Sequence, residues 1–304
     1  MAGHPASKGS GPRRRASRCQ AIRSGGSMPA NQTEWVTGPD GLDARVVGPW
    51  VRRKTHHVDR FSSIFATAMK DKWAQRGYVE LFAGPGLSQI RGTTEFVAGS
   101  ARRAMGYNFT HYAFIDRDPR ATRALDGRLT NDGFPTSKYR LLTGDCNLMI
   151  PNVRSYLPPG ALSLVFIDPT AFQISMKSVI ELVRERHMDL LVTFQVSALI
   201  RVGLQPSKSI DRFFGTPDWR SALEGARETG PTRLIEFYNR QLTERAGYQP
   251  GAQKNAVAVK NSKNRTIYDL VLFSRHPLGG KFWTEAARIN ELGQSSLWED
   301  WDPA

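Results

Sequence analysis

The sequence predicts an α/β fold in which a mostly parallel sheet carries helices on both faces and ends in an antiparallel strand pair. Apolar runs without polar alternation, such as LSLVFI at 162–167 and DLLVTF at 189–194, read as strands buried on both faces. They take turns with stretches of helical periodicity joined by short connections, the pattern of successive βαβ units. Near the end, AVAVK and TIYDLVLF flank the polar turn NSKNR and read as two paired strands.

The elements follow in order. After a loop rich in Gly, Pro and Asp, HHVDRFSSIFATAMKDKW places Val58, Phe61, Phe65, Ala68 and Met69 on one helical face. A strand is predicted near 78–82, a helix near 97–106, a strand near 111–115 and a helix near 119–129. A strand near 139–142, a helical turn near 147–156 and the strand at 162–167 come next. A helix near 175–187 then leads into the strand at 189–194. A helical and aromatic insert at about 203–248 contains the turn-rich IDRFFGTPDW and the helix PTRLIEFYNRQLTERAGY, with Pro231 at its first turn and Gly247 at its stop.

The chain has 304 residues, 40% of them hydrophobic, enough to bury a full core. Two cysteines, Cys19 and Cys146, are too few for a disulfide framework or a four-cysteine zinc site, so a reducing, cytoplasmic setting is expected. No apolar run approaches the roughly 20 residues of a membrane-crossing helix, and no membrane partner is expected. Residues 1–30 form a basic tail expected to be disordered. Its six cations, Lys8, Arg13, Arg14, Arg15, Arg18 and Arg23, have no acid among them within the first 27 residues. The tail reads as an arm for nucleic acid, as untranslated sequence ahead of Met28 or, third, as an arginine-rich organelle-targeting segment. Setting its charges aside lowers the net charge from +14 to +8, so the remainder is basic by itself and favours a polyanionic partner.

The chemistry concentrates at strand ends. YVELFAGPG ends a strand at Glu80 and continues through Phe82, Ala83, Gly84, Pro85 and Gly86 into an expected helix. Two glycines let backbone amides approach a ligand closely, but Gln89 replaces the third glycine of the dinucleotide fingerprint. A carboxylate at Glu80 would repel a pyrophosphate and suit a ligand carrying an ammonium and a sulfonium. That chemistry favours S-adenosylmethionine over NAD or FAD.

Asp116, in FIDRDPR, is the first polar residue after the next strand and is placed to accept both ribose hydroxyls. It follows Glu80 by 36 residues, so the loop from Ser88 to Gly99 is expected to be an insertion. Asp118 and Pro119 read as a helix start. In GDCN, Asp145 is assigned to the adenine amino group, with Cys146 packing beside the cofactor. In FIDPTAF, Asp168 and Pro169 stand where the methyl group would be presented; Asp168 would orient or deprotonate the acceptor. Phe172 takes the place of the aromatic that stacks on the target base in amino-group methyltransferases acting on nucleic acid, with Thr170 and Ala171 interrupting that motif. His56 and His57 lack spaced partners, so no metal site is expected. Trp73, Trp219 and Trp283 are expected to pack.

These segments, together with VAGSARRAM, DRFFGTPDW and YDLVLFSRHPLGGKFW, resemble the three-Cys-motif partner family (TcmP), whose members have a methyltransferase-like fold. The likeness spans roughly residues 50–290. It implies a Rossmann-like class I methyltransferase domain over 45–304 and S-adenosylmethionine as cofactor. Glu80, Gly84, Gly86, Asp116, Asp145 and Asp168 fall on the family's motif positions. It also implies a bacterial origin and a partner, a three-cysteine-motif protein resembling radical S-adenosylmethionine enzymes. The expected function is therefore methyl transfer, with nucleic acid as acceptor class on the strength of Lys54, Arg201 and the Lys260–Arg265 turn. A non-catalytic protein that uses the fold to bind nucleic acid or the partner is the alternative.

Overall fold

A computed structural model describes residues 34–195, 198–199, 207–229, 232–261 and 263–289, with isolated positions at 1, 3, 203 and 205. Nearly all of the expected basic tail, with Cys19, and Arg201 lie outside the described residues.

The main sheet is built on β3 (Arg76–Glu80), all five residues of which are buried. On one side of it lie β6 (His111–Asp116) and β7 (Tyr139–Thr143); on the other lie β8 (Leu162–Ile167) and β9 (His187–Phe194). All pairings among these five strands are parallel. β11 (Thr266–Phe273) then runs antiparallel to β9, and β10 (Val257–Lys260) antiparallel to β11, closing the order β10-β11-β9-β8-β3-β6-β7. This is the Rossmann-like methyltransferase fold that the strand pattern predicts, with its C-terminal antiparallel pair. The chain leaves β3 toward β6 and β7 and returns on the opposite side at β8. Carboxyl ends of strands flanking such a reversal form the usual ligand crevice of open α/β sheets.

Apolar faces fix the layers. α1 (Val51–Met69), α2 (Ser100–Ala104), α3 (Pro119–Asn131) and α9 (Pro277–Ala287) cover one face through Val58, Phe61, Phe65, Leu125 and Trp283. α4 (Cys146–Tyr156), α5 (Met176–Val183), α6 (Lys208–Phe214), α7 (Trp219–Thr229) and α8 (Thr232–Ala246) cover the other. The expected aromatic insert supplies α6 to α8. Its Phe213, Phe214 and Tyr238 pack around Phe194, and the buried Trp219 donates its indole N–H to Asp211 at 2.8 Å. α5 ends at Val183, four residues short of the expectation, because Glu185 takes a left-handed backbone (φ 57°) and Arg154 caps the last carbonyls, those of Glu181 and Leu182. No described helix is long and apolar enough to cross a membrane.

A second sheet departs from the sequence reading. β1 (Trp35–Thr37), β2 (Asp43–Val47), β4 (Leu87–Ile90) and β5 (Phe96–Ala98) form a four-stranded sheet in the order β1-β2-β4-β5. The segment read as a Gly/Pro/Asp loop is thus a hairpin, and domain structure begins ahead of residue 45. The insertion from Ser88 to Gly99 is a second hairpin, so the glycine turn after β3 runs into a strand instead of a helix. β2 pairs in parallel with β4, Arg45 opposite Ser88, which holds the N-terminal hairpin beside that turn.

The junction is fastened by Arg128 of α3, which is 1% exposed. Its guanidinium forks onto Asp40 (2.7 and 2.9 Å) and donates to the carbonyls of Leu42, Asp43 and Pro85. Hydrogen bonding to Arg128 holds the Asp40 carboxyl below its ordinary range. Arg128→Met strands those acceptors and is expected to cost about 2–3 kcal/mol. A urea midpoint within error of the parent's would show that the clamp contributes nothing.

Candidate functional site

Strand register brings the four sequence-nominated carboxylates to one edge of the sheet. Glu80 lies opposite Phe114 of β6 and Phe166 of β8, and Asp116 lies opposite Thr143 of β7. Asp145 and Asp168 follow the ends of β7 and β8.

The turn between β3 and β4 needs its glycines. Gly84 and Gly86 have φ of 65° and 78°, and a Cβ on Gly86 would come within 2.8 Å of Leu125 Cδ1. Ala83, Pro85 and both glycines are buried, with Phe82 half-buried. The Gly84 N–H donates to Asp116 Oδ2 at 2.8 Å, joining the turn to the neighbouring strand tip. The other Asp116 oxygen accepts from the Asp118 N–H at 2.9 Å. Arg45 of β2 also donates to both oxygens, at 3.1 and 3.3 Å, so Asp116 is only 5% exposed.

Glu80 corrects the electrostatic argument drawn from sequence. Its carboxylate is 1% exposed on the α1 side and accepts hydrogen bonds from Ser100 (2.5 Å) and Tyr78 (3.1 Å). Burial raises its pKa from 4.5 to about 8, with Asp168 adding to the rise against the Ser100, Tyr78 and Lys54 contributions. Buried, with both oxygens engaged inside the fold, it does not present a negative charge to a ligand. What disfavours a dinucleotide is the hairpin: Gly86 leads into β4, so the turn lacks the helix N-terminus on which a pyrophosphate sits.

Asp168 is 18% exposed and forms an ion pair with Lys54 Nζ of α1. Burial alone would lower the Lys54 pKa; attraction to Asp168, then to Tyr268 and Glu80, outweighs it and the net shift is upward. Lys54 is therefore committed to a carboxylate and is not a free surface cation, as the sequence reading had it. Pro169 is buried, its carbonyl accepting from Gln195 at 3.1 Å. Phe172 departs from its expected stacking role. It is 8% exposed and meets Phe213 edge-on at 5.4 Å, because Thr170 and Ala171 occupy the exposed tip and the next residue turns into the core.

Asp145 caps α4, accepting from the Asn147 N–H at 2.8 Å. Cys146 is buried in the core, and burial pushes its thiol up to about 12. It is a packing thiol without nucleophilic character at neutral pH.

No family model matches the chain. No curated protein matches it either. Among solved structures it is similar to Trm1 from Pyrococcus horikoshii, solved with S-adenosyl-L-methionine, at 14% identity over 79% of this chain and 62% of that one (TM-score 0.44). It is also similar to the methyltransferase domain of bacterial CtHen1, at 9% identity over 74% and 98% (TM-score 0.39). A third likeness is to protein LPL1258 from Legionella pneumophila, at 10% identity over 80% and 94% (TM-score 0.45). The fold assignment rests on the strand order itself.

Sequence reasoning missed Arg45, Asn147 and the pairing of Lys54. Asn147 ties the β7 and β8 loops together, donating to the Gln173 carbonyl (2.8 Å) and accepting from the Ser175 N–H (2.9 Å). Lys54 stands one helical turn before Val58, so it lies on the inward stripe of α1, and a charge there signals a buried partner. Arg45, 71 residues from Asp116, leaves no local signal.

Glu80 also sets a pH dependence. A carboxyl whose folded pKa lies above its unfolded value stabilises the fold fully below about 4.5, and that contribution is lost as pH rises toward about 8. Glu80→Gln keeps the side chain's shape and one acceptor oxygen, and carries no proton linkage. Its stability relative to the parent is expected to rise between pH 5 and pH 8 in urea titrations. A difference that stays constant across that range would contradict the burial argument.

Proposed function

We propose that this protein is an S-adenosylmethionine-dependent methyltransferase whose cofactor lies across the tips of β3, β6 and β7. One observation carries the reading: the hydrogen bond from Gly84 N–H to Asp116 unites a bare glycine turn and a ribose-type carboxylate beside the switch point of the sheet. The donor set suits the cofactor. The turn from Phe82 to Gly86 offers close backbone approach, Asp116 has the acceptor capacity for a ribose diol once Arg45 moves aside, and Asp145 stands by for the adenine amino group. Bound there, S-adenosylmethionine would supply an electrophilic methyl group for in-line displacement, a reaction promoted mainly by positioning. Asp168, paired with Lys54, faces the acceptor side and serves to orient the acceptor or take its proton.

Nucleic acid is the acceptor class we favour, on the net basic charge and on Lys260, Lys263 and Arg265, which are exposed at the β10–β11 turn. The family resemblance adds a three-cysteine-motif protein as a partner. A non-catalytic binding role is the second reading, favoured by the Arg45–Asp116 pair across the ribose carboxylate and by the burial of Phe172.

Calorimetry with S-adenosylmethionine, followed by labelled methyl transfer to DNA, RNA and the partner protein, separates the two readings. Binding with transfer supports the enzyme; binding without transfer to any of the three favours the second reading. Asp116→Ala is expected to weaken cofactor affinity by about 1–3 kcal/mol, the range for losing a charge-assisted hydrogen bond. An unchanged dissociation constant removes the ribose assignment. Asp168→Ala is expected to keep cofactor affinity and lower turnover, and loss of binding in that variant would contradict its place on the acceptor side.

A further inference from the structure

Arg45 sits where a nucleoside would enter, and its surroundings specify what that nucleoside must carry. The guanidinium uses NH2 on both oxygens of Asp116, the lone pairs a ribose diol requires. Its NH1 lies 3.8 Å from where a Cβ on Gly84 would stand, directly over the bare face of the glycine turn. Its Nε is buried and has no hydrogen-bond partner. The side chain is backed by Trp35, whose ring lies 5.2 Å from the Arg45 guanidinium and 4.7 Å from that of Arg120. Backbone pairing of β2 with β4 keeps it there.

Ribose binding at Asp116 therefore deprives Arg45 of its carboxylate. Glu80 offers no replacement, since it is 1% exposed and its two oxygens are taken by Tyr78 and Ser100. A half-buried guanidinium left without a counter-charge is costly. A ligand that brings its own anion relieves that cost and gives the unused Nε an acceptor in a two-pronged contact.

We propose that Arg45 is a specificity-determining binding residue that exchanges Asp116 for an anionic group on the 5′ side of the incoming nucleoside, the carboxylate of the methionine moiety. The assignment rests on the cofactor reading above and deepens it. Carboxylate and phosphate share the required chemistry, so the test includes both.

The experiment measures binding of S-adenosylhomocysteine, 5′-methylthioadenosine and AMP to the full chain and to its Arg45→Met and Arg45→Lys variants, with circular dichroism and thermal melting as controls for folding. The parent is expected to prefer S-adenosylhomocysteine over methylthioadenosine by about ten- to a hundredfold, the equivalent of one charge-assisted contact. Arg45→Met should erase most of that preference, and Arg45→Lys, which keeps the charge, should restore part of it. If Arg45→Met leaves the preference intact, or tightens both ligands equally, Arg45 is only an obstacle and the proposal fails while the cofactor reading stands. If AMP binds best and depends on Arg45, the anion role holds and the cofactor reading fails. No binding of any of the three to the parent chain overturns both.

Discussion

Asp116 is the point at which three separately encoded parts of the chain become one site. Its carboxylate takes the Gly84 N–H from the turn after β3, the Asp118 N–H from the start of α3, and the Arg45 guanidinium from the N-terminal hairpin. Hydrogen bonds to an ionised acceptor are the strong ones. Loss of this carboxylate would leave a buried amide and a half-buried guanidinium unsatisfied together. Arg128 does the corresponding work one layer out, fixing the hairpin's Asp40–Asp43 turn to the Pro85 carbonyl of the same glycine turn. The two arginines have different consequences. Arg128 uses its donors on groups within the fold, whereas Arg45 keeps one donor in reserve and holds a carboxylate that a ligand can claim.

The charges at the strand tips are arranged in pairs of unequal character. On the α1 side, Glu80 is the more deeply buried carboxyl, and burial, with the Asp168 charge adding to it, raises its pKa. Lys54 pairs with Asp168, which is 18% exposed at the end of the crevice. Burial thus divides their surroundings: Glu80 is an internal hydrogen-bonding group with Tyr78 and Ser100, and Asp168 is the carboxylate that meets solvent.

The main sheet was legible because its strands are buried on both faces and therefore written in continuous apolar letters; LSLVFI and DLLVTF admit little else. Strand ends were legible for the same reason: the first polar residue after such a run, Glu80, Asp116 or Asp168, must lie at the sheet edge. The small sheet was not legible. β1 and β5 are three residues long, and β2 finds its parallel partner some forty positions away, so neither periodicity nor turn chemistry marks them. Side-chain direction was also beyond reach. Glu80 and Phe172 occupy the expected places along the chain, yet one turns under α1 and the other into the α6 layer, because Tyr78 of the same strand and Ser100 of α2 offer hydroxyl donors to the first and Phe213 an aromatic ring to the second.

The hairpin insertion changes what the glycine turn can recognise. In a dinucleotide fold the turn opens a helix whose N-terminal amides attract phosphate. Here β4 follows directly, and the five-residue α2 begins only at Ser100, after Gly99, whose N–H donates to the Gly86 carbonyl at 2.9 Å and on which a Cβ would stand 3.3 Å from the Gly86 backbone. The helix-end amides are thereby replaced as the positive element by a guanidinium, that of Arg45, delivered from a different strand. A fixed helix terminus attracts any phosphate, whereas a guanidinium already engaged by Asp116 responds only to a ligand that satisfies both members of the pair. On the proposed cofactor reading, selectivity at this crevice comes from the requirement that a diol and an anion arrive on the same molecule.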